Sequence, residues 1–259
     1  MNLTFGFGPV EAEFWRWLFV MTRIGAAIMA APFFGAAAVP AQARVIVTGA
    51  VAILVCNWTS VAAPAALFTL PGMLAVAAEV VIGLALGFVL QVAFAAPTIA
   101  AEVIGAGMGM SIATAADPNT GAHSPALGQY FGIVLTLVFL GLGGHLVFLD
   151  LVIRSYTTFP PGHAWLGPER IALILQFAGQ MFVTALAIAL PVTLVLLLVQ
   201  VAAGVLSRSA PALNLFSLGL PAGVVAGIAA LIISAPLTGD MMADISAMAL
   251  RQAEQVIAR

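Results

Sequence analysis

Charge is what this sequence lacks most. Only 7% of its residues are Asp, Glu, Lys or Arg, against about 25% in soluble globular domains. Lysine is absent, and the eight basic residues are all arginine. A nucleic-acid-binding face needs clustered basic residues, and a net charge of −2 with scattered arginines excludes one. The single cysteine, Cys56, rules out an intramolecular disulfide and reads as a small packing residue. There is no His-Glu-x-x-His zinc motif, phosphate-binding Gly-x-x-x-x-Gly-Lys loop or Gly-x-Ser-x-Gly nucleophile elbow. Ser111 and His145 are conceivable as an intramembrane dyad, but nothing in the sequence positions or activates them. The three histidines, 123, 145 and 163, have no metal-ligand spacing. The reading is therefore of a non-enzyme with no cofactor and no metal.

What the chain has is apolar length. Residues 45–78, 118–149, 171–207 and 209–239 carry no Asp, Glu, Lys or Arg at all. Each exceeds the roughly 20 residues that a helix needs to cross a bilayer core. The runs are continuous, which excludes the alternating pattern of a membrane β-barrel. The expected fold class is an all-α integral membrane protein, a bundle of about six long apolar helices, some bent or broken, in contact with lipid. The expected spans are 14–34, 45–68, 72–95, 127–153, 171–203 and 215–237, the last two forming a helical hairpin. Residues 97–115 are helical in composition but less apolar, and 240–259 reads as a short amphipathic tail. The first residues lack the positive n-region of a cleavable signal, so the first apolar stretch is expected to be retained. Arginine placement favours a cytoplasmic C-terminus.

Against this background each polar residue in an apolar run is informative, because ionisable groups at membrane depth are costly. Arg23, Glu79, Gln91, Glu102, His145 and Asn214 are such residues. They fit either pairing, with each other or with neighbouring subunits, or a substrate or proton path. Glycines recur at four-residue spacing at 83/87, 105/109, 128/132 and 219/223/227, which suits close helix packing within the chain or between chains. Segment 107–126, GMGMSIATAADPNTGAHSPA, is the most unusual. Irregular backbone at membrane depth must be buried in protein or line a water-filled cavity. The segment is therefore either an exposed loop or a pore-facing element.

Several stretches resemble the FliR family of type III secretion export-gate membrane proteins. They are RIGAAIMAAPFFGAAAVPAQAR (23–44), EVVIGLALGFVLQVAFAA (79–96), AAEVIGAGMGMSIATAADP (100–118) and VFLGLGGHLVFLDLVIRSYTTFPPG (138–162). The most specific is GVLSRSAPALNLFSLGLPAG (204–223). The resemblance runs through about residues 15–235. Ala212 and Ala101 depart from the Gln and Gly usual in the family. The resemblance implies a subunit of the closed flagellar protein export channel in the bacterial inner membrane, at the flagellar basal body. It implies FliP and FliQ as partners, with FlhB and FlhA, and unfolded flagellar subunits as the cargo. It divides the chain into a FliP-like part, 1–170, a FliQ-like hairpin, 171–237, and a tail, 238–259. It makes 107–126 a channel plug, with Gly107, Met108, Gly109, Met110, Ser111, Asp117 and Pro118 as candidates. Arg23, Glu79, Glu102, His145, Arg208 and Asn214 become candidates for buried or intersubunit polar contacts. The competing expectations are a stand-alone small-molecule transporter and the homologous subunit of a virulence-type secretion system.

Overall fold

The computed structural model describes residues 9–36, 38–59, 61, 67–110, 125–162, 166–209 and 219–258. Among these, regular structure is helical and there is no strand. The helices are α1 (Pro9–Ala30), α2 (Ala41–Trp58), α3 (Leu70–Gly107), α4 (Pro125–Gly141), α5 (Gly144–Thr158), α6 (Pro168–Ser209) and α7 (Leu220–Ala258). Helices α2, α3, α6 and α7 are each long and apolar enough to cross a membrane, and α4 and α5 together have the length and composition of a broken span or a re-entrant loop.

The boundaries differ from the sequence expectation: α1 runs Pro9–Ala30 where 14–34 was expected, and α2 ends at Trp58, ten residues before the expected end of the second span. The third span and residues 97–107 form one helix, α3, of 38 residues with Pro97 inside it. Proline removes a backbone donor, yet α3 continues through it, as helices packed among others tolerate. At 1.5 Å per residue α3 is about 57 Å long, nearly twice the bilayer core. The span expected at 127–153 is instead broken at Gly143, whose φ is +72°, a left-handed conformation that costs other residues about 1–2 kcal/mol. Finally, the expected tail continues α7 without interruption through Pro236 to Ala258.

The chain forms two compact units. The first comprises Met1–Ala93, Gly143–Ala178 and Met248–Arg259; the second comprises Phe94–Leu142 and Gly179–Ala247. In the first, α1 buries Val20, Ile24, Ala27 and Ile28, the spacing of a single helical face. Trp17 Nε1 donates to the Gly49 carbonyl of α2 at 3.0 Å. Arg16 donates through Nη2 to the carbonyls of Cys56 and Thr59, satisfying acceptors that the end of α2 leaves open. In the second unit, α4 buries Phe131, Leu135 and Phe139, again one face, and Phe139 meets Phe94 edge-on at 5.7 Å. The 18-residue apolar windows of α6 and α7 are only 28% and 17% buried, against 50% for α3. Their apolar side chains, Leu190, Leu194, Leu198 and Val201 on α6 and Val225, Ile232 and Ile233 on α7, face outward.

Candidate functional site

Two polar or irregular constellations stand out, one in each unit. The first is built on Arg23 and Glu79, which are 0% and 1% exposed. Arg23 is on α1 and Glu79 on α3. Glycines at 83 and 87 bring the helices together. A Cβ at Gly83 would lie 2.2 Å from the Arg23 carbonyl oxygen, and one at Gly87 would lie 2.5 Å from the Ala30 Cβ. Glu79, Gly83 and Gly87 are spaced by four and share a face of α3. The glycine spacing read from the sequence thus packs α3 on α1 within the chain.

At that close approach the guanidinium and carboxylate form a two-point pair. Arg23 Nε donates to Glu79 Oε2 at 2.8 Å and Nη2 to Oε1 at 2.9 Å. Two further donations follow. Nη1 reaches Ser155 Oγ at 3.1 Å and Nη2 the Phe159 carbonyl at 2.9 Å. The Tyr156 ring lies 4.1 Å from the Arg23 Cζ, and its hydroxyl donates to the Val20 carbonyl at 2.7 Å. Glu79 Oε1 also accepts from the Gly162 amide at 3.2 Å. Two buried charges are tolerable when their lone pairs and protons find partners, and here four of the five guanidinium N–H groups have acceptors. Arg23 and Glu79 therefore meet each other, not a neighbouring subunit. Ser155, Tyr156, Phe159 and Gly162 escaped the sequence reading, because serine, tyrosine and backbone groups carry no signal until the fold brings them to a charge.

The second constellation lies where α3 ends. The Met108 amide donates to the Ile104 carbonyl at 2.9 Å and the Gly109 amide to that of Ala106 at 3.0 Å, and Gly109 then takes φ +79°. Gly107 offers its carbonyl to Gln200 Nε2 of α6 at 2.8 Å. Met108 is 4% exposed and lies against Gly223 and Gly227 of α7. Of the plug candidates, Met108 is thus enclosed by its own chain, while Gly107, Gly109 and Met110 are half-buried. Ser111, Asp117 and Pro118, like Asn214, lie outside the described residues.

The other polar candidates are not drawn together. Glu102 and Arg208 are exposed on this chain, so neither is buried by it. His145 is half-buried in the first turn of α5, with its Nδ1 enclosed and without a hydrogen-bond partner. Gln91 is exposed on α3 beside a cavity of about 430 Å³ that Met29, Pro32, Gly35 and Phe88 also line. No group of three or more His, Cys, Asp or Glu able to hold a metal occurs among the described residues.

Comparison with known proteins places this arrangement. Residues 14–249 match the family model described as bacterial export proteins, family 1. The chain is 35% identical over 159 residues to flagellar biosynthetic protein FliR of Escherichia coli, a match spanning 61% of each chain. It is 33% identical over 219 residues to flagellar biosynthetic protein FliR of Bacillus subtilis, covering 83% of this chain and 84% of that one. It is also 34% identical over 142 residues, 55% of each chain, to surface presentation of antigens protein SpaR of Shigella flexneri. With the family model matched along nearly its whole length, and with helices suited to crossing a membrane several times, the chain belongs to the bacterial export proteins, family 1.

Proposed function

We propose that the chain is the FliR-type membrane subunit of the flagellar type III protein export gate. In this reading it is a non-enzymatic component of the closed channel through which unfolded flagellar subunits leave the cell. It sits in the inner membrane at the basal body and assembles with FliP- and FliQ-type subunits, and with FlhB and FlhA. The observation that carries the reading is the family match over residues 14–249. The outward apolar surface of α6 and α7 supports it. These helices bury little of themselves in their own chain, as expected of a FliQ-like hairpin that packs on other subunits and lipid. Segment 107–126 is the candidate plug of the channel, and Glu102 and Arg208 are the exposed charges available for contacts between subunits.

The transporter alternative fares worse on one observation. A carrier would use its intramembrane charges along a substrate path. Arg23 and Glu79 instead pair with each other and with neighbouring groups within the chain. The flagellar reading is preferred to the virulence-type one because the match to the Bacillus subtilis FliR spans 84% of that protein, against 55% for SpaR.

The test is a pull-down of tagged chain from its native cells in mild detergent, with mass spectrometry of what accompanies it. FliP- and FliQ-type proteins are expected in one stable complex. A monodisperse chain free of them would overturn the proposal. Within an assembled gate, deletions inside 111–122 are expected to make the channel leak ions or to block export. Normal impermeability together with normal export would refute the plug assignment.

A further inference from the structure

We infer that Met108 is a positioning residue of the closed channel, seated in a notch that Gly223 and Gly227 cut into α7. The inference rests on the gate reading for its consequence, but not for its geometry. Methionine is unbranched and adaptable, and at the frayed end of an apolar helix an exposed, wandering side chain would be the ordinary outcome. Met108 instead is 4% exposed. A Cβ at position 227 would stand 2.6 Å from its Cγ, 2.7 Å from its Cε and 3.0 Å from its Sδ. Those distances are shorter than van der Waals contact, so the side chain occupies the very space that any residue but glycine would fill. The Met108 carbonyl oxygen lies 3.4 Å from the corresponding point at Gly223, one turn earlier on the same face.

The neighbours of Met108 are held by contacts of other kinds. The Gly107 carbonyl accepts from Gln200 of α6. Gly109, with φ +79°, lies so close to Leu220 that a Cβ there would meet its Cδ2 at 2.4 Å. Three consecutive residues are thus fixed, the first by a hydrogen bond to α6, the next two by a knob in a notch and a close approach to α7. The end of α3 cannot slide or rotate against these helices without withdrawing Met108. A long side chain with three rotatable bonds is able to do that without a backbone shift. The notch therefore holds the point at which the chain leaves α3 in one place while the channel is shut, yet allows release.

The geometry is tested first. In the full chain with Cys56→Ser, the pair Met108→Cys and Gly227→Cys is expected to form a disulfide on mild oxidation. The Cβ atoms would stand roughly 4 Å apart or closer, within the range that a disulfide spans. The pair Met108→Cys and Ile233→Cys, with Ile233 80% exposed, serves as the control and should not form it. Absence of the first disulfide overturns the inference. The consequence is tested in the assembled gate. Gly227→Val should expel Met108 and raise ion leak through the closed channel severalfold, and adding Met108→Ala should bring the leak back toward wild type. An unchanged leak in Gly227→Val, or no recovery in the double variant, overturns the positioning role. If Gly227→Val fails to accumulate in the membrane, Gly227→Ala replaces it under the same criteria. Should the disulfide form while cells without this chain still export flagellar subunits normally, the gate reading falls and the seat of Met108 stands.

Discussion

Removal of the Glu79 carboxylate tests the central packing argument most directly. In Glu79→Ala the Arg23 guanidinium keeps Ser155 Oγ, the Phe159 carbonyl and the Tyr156 ring. It loses its counter-charge and two short hydrogen bonds at a site with 0% exposure. Breaking a buried pair from one side costs about 3–5 kcal/mol, mostly because an uncompensated charge remains. Glu79→Gln retains shape and one acceptor but leaves the same charge unpaired and turns a donor toward the guanidinium, so it should recover only a small part of that cost. The double variant Arg23→Met with Glu79→Leu removes both desolvated charges. What it leaves behind is neutral: the Phe159 carbonyl and the Gly162 amide lose these partners, at about 1–3 kcal/mol each. The double variant is therefore expected to be less destabilised than the sum of Arg23→Met and Glu79→Leu, with a coupling of about 2 kcal/mol or more in the cycle. Denaturant unfolding of the purified chain in micelles, followed by tryptophan fluorescence, measures all four corners. A cost below about 1 kcal/mol for Glu79→Ala, or strictly additive single costs, would refute the reasoning, since a fully buried pair permits neither.

Three further outcomes follow from the packing. Gly83→Val should destabilise by about 3 kcal/mol or more, above the usual cost of an overpacked core, because its Cβ would meet backbone 2.2 Å away; a change under about 1 kcal/mol in the same unfolding assay would contradict the α1–α3 contact. Gly143→Ala should cost only about 1–2 kcal/mol, since its φ is +72° but nothing lies within 4 Å of the added Cβ; thermal unfolding checks this, and no loss at all would mean that the break is not left-handed. Arg16→Leu should loosen the end of α2 by about 1–3 kcal/mol, read as faster amide exchange near Val55–Thr59, because the Cys56 and Thr59 carbonyls lose their donor; unchanged exchange would count against that cap.

Particular residues show how far the sequence could be read. The apolar runs announced helices suited to a membrane because hydropathy and length act locally. Glu79, Gly83 and Gly87 were legible as one helical face, since four-residue spacing alone places them there. Their partner was not, because Arg23 lies 56 positions away and both alternatives, intrachain and intersubunit, satisfy the same chemistry. Pro97 lies inside α3 without ending it, as proline breaks helices in water but is tolerated in helices packed among others. Gly143 was silent in a run of glycines at 141, 143 and 144 until its positive φ marked the break. Met108 was one of the plug candidates that the family resemblance implied, and the fold seats it in a notch of its own chain.

The sequence by itself determined that this protein is helical and membrane-embedded and that it belongs among the bacterial export proteins. Those properties follow from composition, from the period of the apolar pattern and from motifs contiguous in the chain. Only the tertiary structure decided which charges neutralise one another, which glycines are spacers between helices, and which methionines are buried. Those depend on residues distant in sequence meeting within a few ångströms, where the energy of a buried charge or a missing Cβ is set by the neighbour and not by the residue.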